Sequence, residues 1–262
     1  MPFHQPESVR YYTFDLFAEE AVTHAVFTRV GGVSKDQWAS LNVGLTVGDD
    51  PVCVAENRLL SFQAVNRSIE TLSDSWLVHG SDVFIYDSPR PSDQPFPPKA
   101  DIILTDNPEV TLFMRYADCA PILFFDPVKW VIGLAHSGWM GTIKKVGKVA
   151  VEAMQARFGC HPNKILAAIG PTIGPDQYEV GVDIVEAVKS AFGQAAKRLL
   201  PRINHAIHFD LWEGNRMVLE QAGVGQIELS SICTADNTQD WYSHRASQGK
   251  TGRFGVLLAL NK

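Results

Sequence analysis

Residues 116–141 read YADCAPILFFDPVKWVIGLAHSGWMG, and this stretch decides the fold. Two apolar, β-rich runs, Pro121-Ile122-Leu123-Phe124-Phe125 and Val131-Ile132-Gly133-Leu134-Ala135, are joined by Asp126-Pro127. Paired as an antiparallel hairpin about that turn, the start of the first run lies beside the end of the second. Cys119 stands just before the first and His136 ends the second, so the hairpin alone brings a thiol and an imidazole to one edge of a sheet. A third run, Trp76-Leu77-Val78-His79-Gly80, also reads as a strand ending in a histidine. Two imidazoles and one thiolate make an open, three-ligand metal site of the kind that catalytic zinc uses. Asp118, directly before Cys119, is placed to orient an imidazole or to take a proton.

Taken singly, each residue has a plainer reading. A histidine after a strand is more often a satisfied polar group than a ligand, and a cysteine beside apolar residues usually packs as a small hydrophobe. The coincidence of His79, Cys119 and His136 at three strand ends is what favours a shared site. A cysteine hydrolase uses the same atoms differently: Cys119 as nucleophile, His136 as base, and Asp118 or Asp101 as orienter. That reading leaves His79 without a role. The chain has eight histidines and none forms a His-x-His pair, which argues against a four-copper oxidase centre.

Working outward, a short strand over 25–28 runs into a Gly-Gly turn and a polar loop. Arg29, Ser40 and Asn42 sit there beside glycines, where backbone can approach a ligand, although an ordinary turn-rich loop is the simpler reading. Asp50 and Pro51 form a helix start, and helical spacing predicts a helix over 51–65. Arg58 within it reads as a surface charge or as a side chain reaching back into a site. Strands are expected over 76–80, 82–86, 101–106 and 110–114, with a stiff surface loop between carrying Pro89, Pro91, Pro95, Pro97 and Pro98. After the hairpin, residues 137–141 turn into a helix that stops at Gly159, with Lys144, Lys145 and Lys148 on a solvated face. A strand over 165–169, a rigid turn over 170–175, helices over 182–200 and from Asp210 to Gly223, a strand over 227–232 and a closing strand complete the chain. Strands and helices mix without strict βαβ alternation, which predicts an α+β protein: one layered domain over residues 1–262, with mixed β-sheets flanked by helices.

The 262 residues carry a formal charge of −6, whereas a nucleic-acid binder needs a basic footprint. No apolar run approaches the ~18 residues of a membrane span. The first residues have neither the basic start nor the apolar middle of an export signal. The four cysteines are scattered with no CxxC pair, which reads as reduced thiols and a cytosolic setting.

The segments FTRVGGVS, SLNVG, VHGSDV, YADCAPILF, AHSGWMGT, AAIGPTIG, CTADNT, YSHRA and TGR resemble, in order, the bacterial polyphenol oxidase (laccase-domain) family. Members of that family are described as purine nucleoside phosphorylases with adenosine deaminase and methylthioadenosine phosphorylase activity. The resemblance implies a layered α/β-type domain and a catalytic zinc held by His79, Cys119 and His136, the trio already reached from strand ends. It also implies a small purine nucleoside and phosphate as partners, acted on at the metal. Copper, with a laccase-like phenol oxidation, is the alternative cofactor, and a catalytically weakened nucleoside-binding homologue is the third reading. Arg29, Arg58 and Arg245 match family motifs and are the expected anion contacts, with Asn42 beside them. The chain departs from the family at Leu77, where glutamine is usual, and at Met140, where arginine is usual. Methionine cannot make the bidentate contact to phosphate or carboxylate that arginine makes.

Overall fold

The computed structural model describes residues 2–261 apart from 92 and 95, so Pro95 of the proline-rich loop lies outside the described residues. Among the described residues the strands form two six-stranded sheets and a small ribbon. The first sheet runs, in spatial order, β1 (Phe3–His4), β2 (Tyr11–Tyr12), β3 (Val22–Phe27), β14 (Phe254–Leu260), β7 (Thr111–Tyr116) and β4 (Leu72–Asp74). The second runs β13 (Gln226–Leu229), β10 (Leu166–Ile169), β8 (Ala120–Asp126), β9 (Val131–Ser137), β6 (Ile102–Thr105) and β5 (Val83–Ile85). Both are mixed: β4 lies parallel to β7 and β10 parallel to β13, while most other neighbours are antiparallel. The ribbon pairs β11 (Arg202–Ile203) with β12 (Ala206–Ile207).

The two apolar runs of the hairpin are β8 and β9, and every residue of both is buried. The sheet is covered on both faces, which is why the runs are continuously apolar rather than alternating. Leu123, Phe125, Ile132 and Leu134 pack toward the first sheet, with Tyr116, Val256 and Leu258. Ile122, Phe124, Val131 and Ala135 face the other way, onto Val146, Ala150 and Met154 of α3 (Val146–Phe158) and Leu219 of α6 (Leu211–Gln221). Outside the first sheet, α1 (Pro51–Gln63) sets Phe62 against Phe113 and Leu257. Each such buried side chain contributes about 1.5–3 kcal/mol. The result is a single layered domain of helix, sheet, sheet and helices, as the α+β reading expected.

Four local expectations need correction. Residues 76–80 are not a strand; Trp76 makes only an isolated bridge to Lys99, and His79 turns to φ +57°. The helix after His136 is broken into α2 (Trp139–Ile143) and α3, because Lys145 sits at φ +60° between them. Its neighbours are not one solvated face: Lys144 Nζ donates to the carbonyl of His79 at 2.9 Å and Lys145 lies over the Phe192 ring, while Lys148 is exposed beside Glu152. The helix expected over 182–200 likewise breaks, into α4 (Val182–Phe192) and α5 (Ala196–Leu199), at Gly193 with φ +55°.

His24, in β3, is a buried histidine that the fold keeps neutral. Its Nε2 accepts the Phe14 backbone N–H at 2.8 Å, and its ring packs against Phe14 and Phe17. Burial, followed by the nearby His4, lowers its pKa to about 4. The unfolded chain binds the proton more tightly, so this stabilisation is complete above the unfolded value near 6.5 and is lost as pH falls toward 4. The loss is on the order of 3 kcal/mol. Thermal melts of wild type and His24→Gln between pH 7 and 4 are expected to show a shallower decline for the variant. Parallel declines would remove His24 as the source.

Candidate metal centre

In the hairpin register, Pro121 faces His136 and Ala120 faces Ser137, so Cys119 arrives beside the end of β9. The turn at the other end is longer than Asp126-Pro127. Asp126 Oδ1 accepts the N–H groups of Val128 and Lys129 at 2.8 and 3.0 Å, and its carbonyl accepts from Trp130. The third partner, His79, comes in from the loop before β5. One ligand atom each from His79, Cys119 and His136 lie within 4.8 Å of one another. The two imidazole rings meet edge to face at 5.0 Å.

Gly138, which caps α2, leaves room for the thiol. A Cβ there would come 2.6 Å from Cys119 Sγ. Gly138→Ala is therefore expected to push the sulfur off the shared point and cut metal loading by about tenfold or more. Metal analysis of the purified variant checks this, and wild-type loading would refute it. Behind Gly138, a buried network of Ser137, Asn215 and Thr142 ties the end of β9 to α2 and α6.

The orienting carboxylate is Asp101, not Asp118. Asp101 is fully buried just before β6, and its Oδ1 lies 2.9 Å from His136 Nδ1. It also accepts the backbone N–H groups of Val78, His79 and Gly80 at 3.1, 3.1 and 2.7 Å. That grip on three successive amides bends the chain at His79 out of strand geometry. Burial alone would raise the Asp101 pKa, but the bonds from His136 and Gly80 outweigh it and hold the carboxyl below its usual range. His136 and Cys119 are a coupled pair. Burial opposes charge on both, yet the thiolate beside His136 raises the imidazole and the imidazole lowers the thiol. With Nδ1 directed at Asp101, the other ring nitrogen of His136 is left for a ligand role.

Asp118 has a different setting. It sits at φ +80°, with Oδ1 accepting the Thr234 hydroxyl at 2.6 Å and Oδ2 accepting the Arg245 backbone N–H at 2.7 Å. Its carbonyl accepts from Ile173 N–H at 3.0 Å and from the Thr172 hydroxyl. These bonds hold a side chain that lines the cavity in front of the trio.

That cavity has a volume of about 850 Å³ and is lined by His79, Asp118, Cys119 and His136 together with Arg58 and Arg245. Leu77 and Met140 also line it, as does Ile173 of the turn over 170–175. Arg245 Nη1 donates to the carbonyls of Gln177 and Glu179, and its guanidinium stacks on Tyr178. Arg58 donates through Nε and Nη2 to the Val43 carbonyl. Arg29 and Asn42 do not line the cavity. Arg29 bonds the carbonyls of Ala39 and Thr238 and stacks on Tyr242, while Asn42 accepts from the N–H groups of Gly44 and Arg253. Asn42 thus holds two residues that do face the cavity.

Residue-by-residue reading missed Asp74, Arg90, Arg115 and Arg253 on the same wall. Arg115 had a signal: it is the one charge inside the apolar strand TLFMRY. Arg90, within the proline-rich loop, had none.

Comparison with known proteins gives the class. The chain belongs to the family described as multi-copper polyphenol oxidoreductase laccase, whose model matches residues 23–261. Its relatives carry a different description. A protein of Deinococcus radiodurans named purine nucleoside phosphorylase is 38% identical over 240 residues, covering 92% of this chain and 90% of that one. Purine nucleoside phosphorylase YlmD of Bacillus subtilis is 34% identical over 249 residues, 90% of this chain and 87% of its own. The crystal structure of YlmD from Geobacillus stearothermophilus matches with a TM-score of 0.91 at 31% identity, covering 100% of this chain and 99% of that one. No helix among the described residues is long and apolar enough to cross a membrane.

Proposed function

We propose that this protein is a zinc-dependent enzyme of purine nucleosides in the cytosol. It would cleave adenosine, inosine, guanosine or methylthioadenosine with phosphate, and deaminate adenosine. One observation carries the reading: the donor atoms of His79, Cys119 and His136, within 4.8 Å of one another, front a cavity of about 850 Å³. That volume suits a small molecule, and relatives of the chain bear the name purine nucleoside phosphorylase.

The donor set fits zinc, since two imidazoles and a thiolate leave one tetrahedral position open. When bound, the ion supplies Lewis-acid activation of water or of a substrate oxygen. The remaining work belongs to the chain's own groups. Asp101 fixes the ring of His136, and the proton that His136 shares with Cys119 must leave before both can serve as ligands. Asp118, beside Cys119 on the cavity wall, carries the proton to or from the purine. Arg58 and Arg245 contact substrate, while Arg29 and Asn42 act at one remove by holding the loops behind the wall. Met140 lines the cavity without replacing the charge of the family's arginine, so anion binding must come from elsewhere.

The test is to incubate the purified, metal-analysed protein with adenosine or inosine, with and without phosphate, and to follow products. Zinc near one per chain, with base and ribose phosphate or inosine released, is expected. Asp118→Asn is expected to lose about 100-fold or more in turnover while keeping its zinc. Copper near one per chain, with oxygen consumed on adding phenols and no nucleoside turned over, would replace this reading with the oxidase one. Nucleoside binding without turnover would leave the weakened homologue.

A further inference from the structure

One part of the cavity lining holds more positive charge than the carboxylate at its centre balances. Asp74 is 2% exposed, and Arg90 Nε, Arg115 Nη1 and Arg58 Nη1 approach its oxygens at 3.1, 3.3 and 3.8 Å. The three guanidinium side chains are themselves only 16, 15 and 11% exposed. They arrive from three separate places: α1, the proline-rich loop and β7. A solvated run of surface charge would come from one segment; these cations converge. All three, with Asp74, line the cavity in front of the metal-ligating trio.

Three cations around one carboxylate leave two positive charges in a nearly dry place. Holding unpaired charges out of water is costly, so an isolated cluster of this kind destabilises the fold unless an anion joins it. Burial and the neighbouring Arg115 lower the Arg58 pKa to about 10, so it remains a cation at neutral pH. The cluster also has donors to spare. Among the described residues, Arg58 Nη1 and Arg90 Nη2 make no hydrogen bond, while the other arms of these side chains are fixed on the carbonyls of Val43, Gln94 and Ser75. Guanidinium groups anchored at one edge and free at the other are suited to a tetrahedral oxyanion.

We propose that Arg58, Arg90 and Arg115, gathered on Asp74, form the seat of a dianionic phosphate group, either free phosphate or the phosphate of a monoester. Phosphate as dianion balances the residual charge of +2. The seat deepens the nucleoside reading and rests on it for the origin of the phosphate. It also answers the missing arginine at Met140, since the anion is held by a different wall.

Binding of inorganic phosphate, adenosine and adenosine 5′-monophosphate is measured by calorimetry on wild type, Arg90→Met, Arg115→Met and Arg115→Lys. Phosphate affinity is expected to fall about tenfold or more in either methionine variant and to recover in part in Arg115→Lys, with adenosine affinity unchanged. If the source is free phosphate, it binds together with adenosine; if a monoester, the monophosphate binds more tightly than adenosine and loses that gain in Arg90→Met. Should Arg115→Met fail to fold, Arg90→Met and Arg115→Lys carry the comparison. Wild type indifferent to both phosphate and monophosphate, or variants that bind them as wild type does, would overturn the proposal. Phosphate held at these arginines without nucleoside turnover would sink the nucleoside reading and leave the seat standing. Phosphorolysis indifferent to Arg90 and Arg115 would do the reverse.

Discussion

Cys119→Ser is expected to be purified with no stoichiometric metal and to turn over nucleosides more than about 100-fold more slowly than wild type. Loss of an outer-shell partner alone costs 10–100-fold in metal affinity or activity, and the thiolate is one of only three donors in the trio. The serine hydroxyl is no larger than the thiol, so it fits the space that Gly138 leaves and the fold should melt as wild type does without metal. The oxygen is a far weaker ligand because it stays protonated at neutral pH, whereas the neighbouring imidazole favours the thiolate. The same substitution separates the metal reading from the cysteine hydrolase. A hydrolase needs Cys119 and His136 alone, so His79→Ala would spare it; a metal enzyme loses activity from either change. Full activity in Cys119→Ser would end both.

Asp101→Ala is expected to have the largest combined effect on stability and loading. The change removes the partner of His136 Nδ1 and of the Val78, His79 and Gly80 amides at one stroke. Leaving buried donors without acceptors costs on the order of 3 kcal/mol. For a chain of this size that corresponds to roughly 10 °C in melting temperature. The loop would relax from the left-handed turn at His79, carrying that ring away from the other two donors. Asp101→Asn is the finer probe. Its carbonyl can still accept from the loop amides, so stability should fall less while zinc affinity drops about 10–100-fold. Melts and metal titrations of both variants check this. An alanine variant that melts and loads like wild type would show that the carboxylate has no positioning role.

The hairpin was legible because its two runs are buried on both faces, and short, β-rich apolar runs such as PILFF and VIGLA on either side of Asp126-Pro127 suit strands of a covered sheet. Cys119 and His136 came with it, since antiparallel pairing has only one way to align their ends. His79 reached the same place for a reason that periodicity does not contain. Residues 76–80 look like a strand, but a carboxylate about twenty residues downstream takes their amides and folds them into a loop. Asp118 and Asp101 both stood as candidate orienters, and only the fold separates them, setting Asp101 on His136 Nδ1 and Asp118 on the Thr234 hydroxyl and the Arg245 amide. Arg90 and Arg115 were missed likewise: their meeting at Asp74 depends on a parallel pairing of β4 with β7 that no local pattern encodes.

The position of β14 has a consequence for how the molecule is made. It lies between β3 and β7, with Val256 against Val26 on one side and Met114 on the other. The second sheet, with its thiol and imidazole, is assembled mostly from strands close together in the chain. The first stays split into two halves until residues 254–260 have cleared the ribosome. During synthesis the early strands must therefore wait with two open backbone edges, the exposed rows of N–H and C=O groups that finished sheets keep paired or covered.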